Sequence, residues 1–194
     1  MTLAVRQSQQ LDVVLSNAKL LSDLLRMGHQ VLIRDFRGSR VRVLAEHNLA
    51  GQRLRAGEAP GPVTDPLRLE LLTGSGEAAG WPRPVLLGAV IEASADPVTA
   101  VQRASRWASY AARVAVVPAA RLEDKALLEA QLRGVWVVTA DTAGRCAVAA
   151  AGEAAATPGS ARGLAHRLLD ELAWEALLRR DAAPVCRVRP AATR

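Results

Sequence analysis

Leu11, Val14, Leu15, Ala18, Leu21 and Leu25 recur three or four positions apart, the spacing of one buried helical stripe. That predicts an amphipathic helix over residues 8–27, closed by Gly28. The pattern then shifts to β-rich runs at 31–35 and 40–45, separated by Phe36, Arg37, Gly38 and Ser39, which predicts a hairpin with a glycine-containing turn. Gly51, Gly57, Gly61, Pro60 and Pro62 predict a loop over 51–62. Residues 67–72 alternate leucines with Arg68 and Glu70, predicting a third strand, and 73–84 reads as another loop that Trp81 pins to the body.

Beyond residue 84 the period changes again. Residues 85–91 are continuously apolar, as expected of a strand covered on both faces. Asp96 suits an N-cap and Pro97 the first helical position, so a helix is predicted from there to about residue 112. A buried strand at 114–117 follows, then a helix at 122–132 closed by Gly134, strands at 135–139 and 145–150, a small-residue linker at 151–159 and a last helix at 160–180. Strands alternating with helices imply right-handed crossovers and a largely parallel core in this half. The expected fold class is therefore α/β. A single domain is expected over 1–183, with a basic tail at 184–194.

Composition adds modestly to this picture. Half of the residues are apolar but only 3% are aromatic, so Ala, Val and Leu build most of the interior. No apolar run approaches the ~20 residues that cross a bilayer, and Arg6, Asn17, Lys19 and Asp23 interrupt the N-terminal one. A cytoplasmic protein without a membrane segment is expected. Cys146 and Cys186 have no metal-type spacing around them and read as reduced thiols. His29, His47 and His166 are scattered, and the glycine-containing segments 74–76 and 142–144 match no nucleotide fingerprint. Trp107, Trp136 and Trp174 sit in apolar patterns and read as packing residues.

Charge changes the picture more. The net charge is +6, and Lys19 and Lys125 are the only lysines. Such an excess of arginine fits a polyanionic partner, and GC-rich coding produces the same bias. Arg34, Arg37, Arg40 and Arg42 crowd the hairpin, while Arg103, Arg106, Tyr110 and Arg113 fall on adjoining turns of the predicted helix. Both sets read either as phosphate contacts or as solvated basic faces. The hairpin set is the stronger pointer, because like charges around one turn repel unless a polyanion joins them.

Val90-Ile91-Glu92-Ala93-Ser94 is a buried strand ending in an acid; after it come a helix rich in Ala, Arg and aromatics at 100–110, the strand at 114–117, and a leucine-rich helix running into Leu132-Arg133-Gly134-Val135-Trp136-Val137-Val138. With the upstream helix and hairpin, this arrangement over residues 84–150 resembles the PD-(D/E)XK superfamily. The resemblance implies a restriction-endonuclease-like αβββαβ core, its mixed sheet flanked by helices, with an extra C-terminal helix. In active members an Asp and a Glu bind Mg²⁺, and a Lys two residues beyond the Glu positions the attacking water. Hard oxygen ligands hold such a cation, which stabilises charge on the phosphoryl group.

The resemblance places Glu92 at the Glu, Asp65 at the Asp (with Glu70 as a substitute) and Ser94 at the Lys. A serine hydroxyl has no cationic head, so the catalytic signature is broken. Glu92 also reads as ordinary loop chemistry beside a helix N-terminus. The expectation is a nuclease-like domain that has lost catalysis, holds no cofactor, and serves as a nucleic-acid-binding or protein-assembly module. Its partner would be DNA, another protein or a second copy of itself. Two alternatives stand beside it: an active Mg²⁺-dependent DNA endonuclease in which Arg103 or Lys125 replaces the lysine, and an accessory subunit that binds only protein.

Overall fold

Leu11, Val14, Leu15 and Leu21 are all buried on helical backbone, and the continuous part of that helix is α1, Ala18–Leu25. The computed structural model describes residues 11, 14–15, 18–57, 61–76, 80–154 and 163–182. The expected tail at 184–194, most of the 151–159 linker and Cys186 lie outside them. The helix stops two residues earlier than its apolar stripe suggests, because Arg26 itself takes the left-handed conformation (φ 53°).

The hairpin is present and longer than predicted: β1, His29–Phe36, and β2, Ser39–His47. Its loop is only Arg37-Gly38, both at positive φ (55° and 79°). That is the type I′ geometry whose twist matches the flanking strands, and Asp35 Oδ1 accepts the Gly38 N–H at 2.8 Å.

Between β2 and β3 the sequence reading needs correction twice. Residues 51–62 are not all loop: α2, Leu49–Arg55, starts at Asn48, whose side chain accepts the Gly51 N–H. Gly51 is there for closeness, since a Cβ would overlap the Arg83 carbonyl oxygen. The predicted third strand is also a helix: α3, Pro66–Gly74, capped by Asp65. Alternation of Leu67, Leu69 and Leu71 looks like a strand, yet only Leu69 is buried. The cap and the proline at the first helical turn decide the outcome.

From there the second half follows prediction closely. β3, Val85–Ala93, leads through the Asp96 cap into α4, Pro97–Ser105. The helix ends well before residue 112, because the chain tightens into successive i→i−3 turns at Trp107, Ala108 and Tyr110. β4, Ala112–Pro118, a 3₁₀ turn at Ala119–Arg121, α5, Asp124–Leu132, β5, Trp136–Ala140, β6, Cys146–Ala150, and α6, Leu164–Ala182, complete the chain.

The six strands form one open mixed sheet in sequential order. β3, β4 and β5 run parallel; the β1–β2, β2–β3 and β5–β6 pairs are antiparallel. One face packs on α6 through Leu168, Leu169, Ala173, Trp174 and Leu177, and on α4 and α5 through Ala100, Val101, Ala104 and Ala130. The other face receives α1, which touches both edge strands, β1 and β6, so the sheet curls around it. Among the described residues no helix is long and apolar enough to cross a membrane.

A candidate anion-binding cleft at the end of the sheet

β2 pairs antiparallel with β3, and α4 leaves from the C-terminal end of β3. The tip of the hairpin and the last turn of α4 therefore meet beside Glu92. Between them lies a cleft of about 540 Å³ lined by Phe36, Arg37, Ser39, Arg40, Glu92, Arg103, Arg106, Trp107 and Tyr110. Four guanidinium groups face one carboxylate. Arg37, Arg40, Arg103 and Arg106 are exposed, and among the described residues none of them has a carboxylate partner. Arg103 lies in the last turn of α4, where the helix dipole favours a cation.

The floor of the cleft is aromatic. Phe36, Trp107 and Tyr110 pack with ring centroids 5.5–6.1 Å apart, and His166 stacks on Tyr110 at 4.3 Å. Trp107 Nε1 donates to Glu92 Oε1 at 2.9 Å, which fixes the carboxylate at the rim of that floor. A second cleft of about 330 Å³ continues past Glu92, sharing Arg40, Glu92 and Arg103 and adding Arg42 and Ser94. A trough of larger volume, about 670 Å³, lies on the far side of Arg37 against Leu164, Leu168 and Leu172 of α6. There Asp35 and Glu175 balance Arg37 and Arg179, so it offers no net attraction to an anion.

Five of the arginines singled out from sequence, Arg37, Arg40, Arg42, Arg103 and Arg106, thus line one continuous groove. Arg34 is exposed on the edge strand β1 and lines neither cleft. Arg113 is not on the helix with Arg103 and Arg106: α4 ends first, and Arg113 sits on β4, ion-paired to Glu153 at 2.9 Å with its side chain only 11% exposed. Trp107, assigned to packing from sequence, does pack against the core and also lines the cleft. The signal that could have found it is its position one residue after Arg106 and four after Arg103.

Asp65 does not join Glu92. Its Oδ1 accepts the Leu67 and Arg68 N–H groups at the start of α3, and it lines neither cleft. Ser94 Oγ accepts the Asp96 N–H at 3.2 Å, a turn contact ahead of α4. The donor set at Glu92 does not fit Mg²⁺: one carboxylate, half engaged by an indole and ringed by guanidinium groups, is a poor home for a hard dication. Among the described residues no group of three or more His, Cys, Asp or Glu could hold a metal ion. Burial pushes the Cys146 thiol up to about 11, with Asp141 adding to the rise, which disfavours the thiolate near neutral pH.

Comparison of the chain with protein-family models, with curated proteins and with solved structures finds no match in any of the three.

Proposed function

We propose that this protein binds nucleic acid through the cleft between the hairpin and α4, and does not cleave it. The observation that carries the reading is the convergence of Arg37, Arg40, Arg103 and Arg106, all without carboxylate partners among the described residues, from two separate segments onto one concavity. Unpaired cations held this close raise each other's energy, and a polyanion relieves that while releasing its counterions. The framework supports a nuclease-like ancestry. With α2 and α3 set aside as an insertion, α1-β1-β2-β3-α4-β4 runs in the αβββαβ order, and Glu92 falls near the end of its third strand. Loss of cleavage follows from Ser94 in the lysine position and from the distance in role between Asp65, a helix cap, and Glu92.

The test is fluorescence anisotropy with labelled DNA across a salt series, with and without Mg²⁺, followed by gel analysis of the Mg²⁺ samples. Four phosphate contacts predict log K falling against log salt with a slope of about −3, intact DNA, and loss of binding in Arg40→Glu/Arg103→Glu. No binding at low salt would sink the reading. Mg²⁺-dependent cleavage abolished by Glu92→Ala would replace it with a working nuclease.

A protein-partner reading draws on a different surface. Leu54 on α2 and Leu67 and Leu71 on α3 are 74%, 65% and 66% exposed, more apolar surface than such short helices leave bare without cause. Concentration-dependent sedimentation that Leu67→Lys/Leu71→Lys removes would support association through that surface.

A further inference from the structure

Glu92 is the odd member of the cleft. In a site that only gripped phosphates, a carboxylate between Arg40 and Arg103 would repel the ligand. One of its oxygens, Oε1, is taken by Trp107, and no partner for the other occurs among the described residues. A free, oriented carboxylate oxygen calls for a ligand that brings an N–H donor along with its negative charge. Unpaired nucleobases do so: each of the four carries at least one N–H on its Watson–Crick edge, and in a duplex those hydrogens are already committed. The aromatic floor of Trp107 and Tyr110 beside Glu92 is the companion feature, since a basic groove interleaved with aromatic rings is how proteins hold single strands. The volume, about 540 Å³, falls in the range of pockets that hold a small ligand, enough for one base and its sugar. The adjoining 330 Å³ chamber beyond Glu92 extends the groove, sharing Arg40, Glu92 and Arg103 with it.

We infer that the cleft is a receptor for unpaired nucleotides: the arginines take the backbone phosphates, and the free oxygen of Glu92 accepts an N–H from an extruded or single-stranded base. This rests on the nucleic-acid reading above and deepens it, since Glu92 becomes the group that distinguishes single strand from duplex.

The experiment compares four probes of equal length by anisotropy at fixed salt: an unstructured DNA single strand, the corresponding RNA, the DNA duplex, and a strand of abasic deoxyribose phosphates. Wild-type protein is expected to bind both base-bearing single strands at least tenfold more tightly than the duplex and the abasic strand. Glu92→Gln keeps an acceptor for Trp107 but turns an amide N–H₂ toward the ligand. It should weaken base-bearing single strands about tenfold, the value of one hydrogen bond to a charged group, and leave the abasic strand equal or tighter because a repulsive charge has gone. Duplex bound as tightly as single strand would overturn the inference while leaving nucleic-acid binding in place. So would a Glu92→Gln protein that binds every probe more tightly, which would make Glu92 a bystander. Failure of all four probes to bind at low salt would remove both the inference and the reading beneath it.

Discussion

Arg55 and Arg83 lie beneath α6 with a carboxylate each, whereas Arg37, Arg40, Arg103 and Arg106 share one cleft with a single glutamate. The buried side is fully satisfied in charge. Arg55 Nη1 and Nη2 donate to Glu171 Oε1 and Oε2 at 2.5 and 3.3 Å, and its guanidinium lies 4.4 and 5.1 Å from the rings of Trp81 and Trp174. Arg83 makes a side-on fork with Asp170, Nε and Nη2 donating to Oδ2 and Oδ1 at 3.0 and 2.8 Å. On the open side the guanidinium groups are exposed and line the cleft with no such forks among the described residues. One residue type therefore occupies two kinds of surroundings, and the presence or absence of a carboxylate partner tells them apart. Where the fold uses arginine for itself, it supplies the anion from its own chain. Where several arginines converge on one cleft and the chain supplies none, the anion, on the proposed reading, comes from outside.

The sharpest way to break this contrast is to remove the internal anion. Glu171→Ala leaves Arg55 buried, 1% exposed, with no counter-charge, and should cost about 3–5 kcal/mol of stability in urea unfolding. Burial pushes the Glu171 carboxyl above its ordinary value, against the pull of Arg55 and the Val63 N–H. The pair is therefore electrostatically expensive even when intact. Arg55→Met/Glu171→Leu should recover most of the loss, as replacement of a buried pair by apolar side chains often does. Neither change should alter the salt slope of nucleic-acid binding at temperatures where the protein is folded. A slope that moved with Glu171→Ala would show the two arginine groups to be coupled.

The converse substitution acts on the open side. Arg40→Ala/Arg103→Ala removes two exposed groups without carboxylate partners and should leave stability within about 0.5 kcal/mol. It should flatten the salt slope on single strand by about 1.4, two phosphate contacts at ~0.7 each, and weaken binding more than tenfold at low salt. A loss of stability above 1 kcal/mol in urea would put these arginines with Arg55 instead.

Arg113 sharpens the comparison because its sequence context and its surroundings disagree. Helical spacing groups it with Arg103 and Arg106, yet β4 holds it against Glu153 with its side chain mostly covered. Its partner is 74% exposed, so the ion pair itself is screened and the covered stem does most of the stabilising. Arg113→Ala is expected to lower stability by about 1 kcal/mol and to leave affinity for every nucleic-acid probe unchanged. Weakened binding would return Arg113 to the groove.

What could be read in advance divides along the same physical line. Residues 85–91 and 114–117 are legible because a strand covered on both faces needs a continuous apolar run, although the start of β3 is only half covered, with Leu86 49% exposed. Residues 67–72 were misread because period two is shared by strands and by a surface helix that exposes its leucines. The Asp65-Pro66 pair carried the right answer, and it is the same signal as Asp96-Pro97, which was read correctly. Gly51 reads as a loop marker, yet it serves the approach of the Arg83 carbonyl. Arg55 and Glu171 were invisible, since residues 116 apart meet only through the packing of α2 under α6. The basic hairpin and the basic helix could each be seen. Their meeting at Glu92 could not, because it depends on which strands pair.

Arg37 belongs to both halves of the comparison, and the effect expected there is the smallest and the most telling. It occupies the first turn position of a type I′ hairpin at φ 55°, a left-handed conformation that costs a non-glycine residue about 1 kcal/mol and that asparagine tolerates far better. Stability alone would place asparagine before Gly38. An arginine kept there, exposed and lining the cleft, points to a charge wanted for something other than folding. Arg37→Asn should raise stability by about 0.5 kcal/mol and at the same time weaken single-strand binding and flatten its salt slope by about 0.7. Thermal unfolding and anisotropy on the same preparation read the two quantities together. Opposite movement is what a strained residue held for its ligand requires. If Arg37→Asn instead stabilised the protein and left binding untouched, Arg37 would be an ordinary turn residue, and the open group would shrink to Arg40, Arg103 and Arg106.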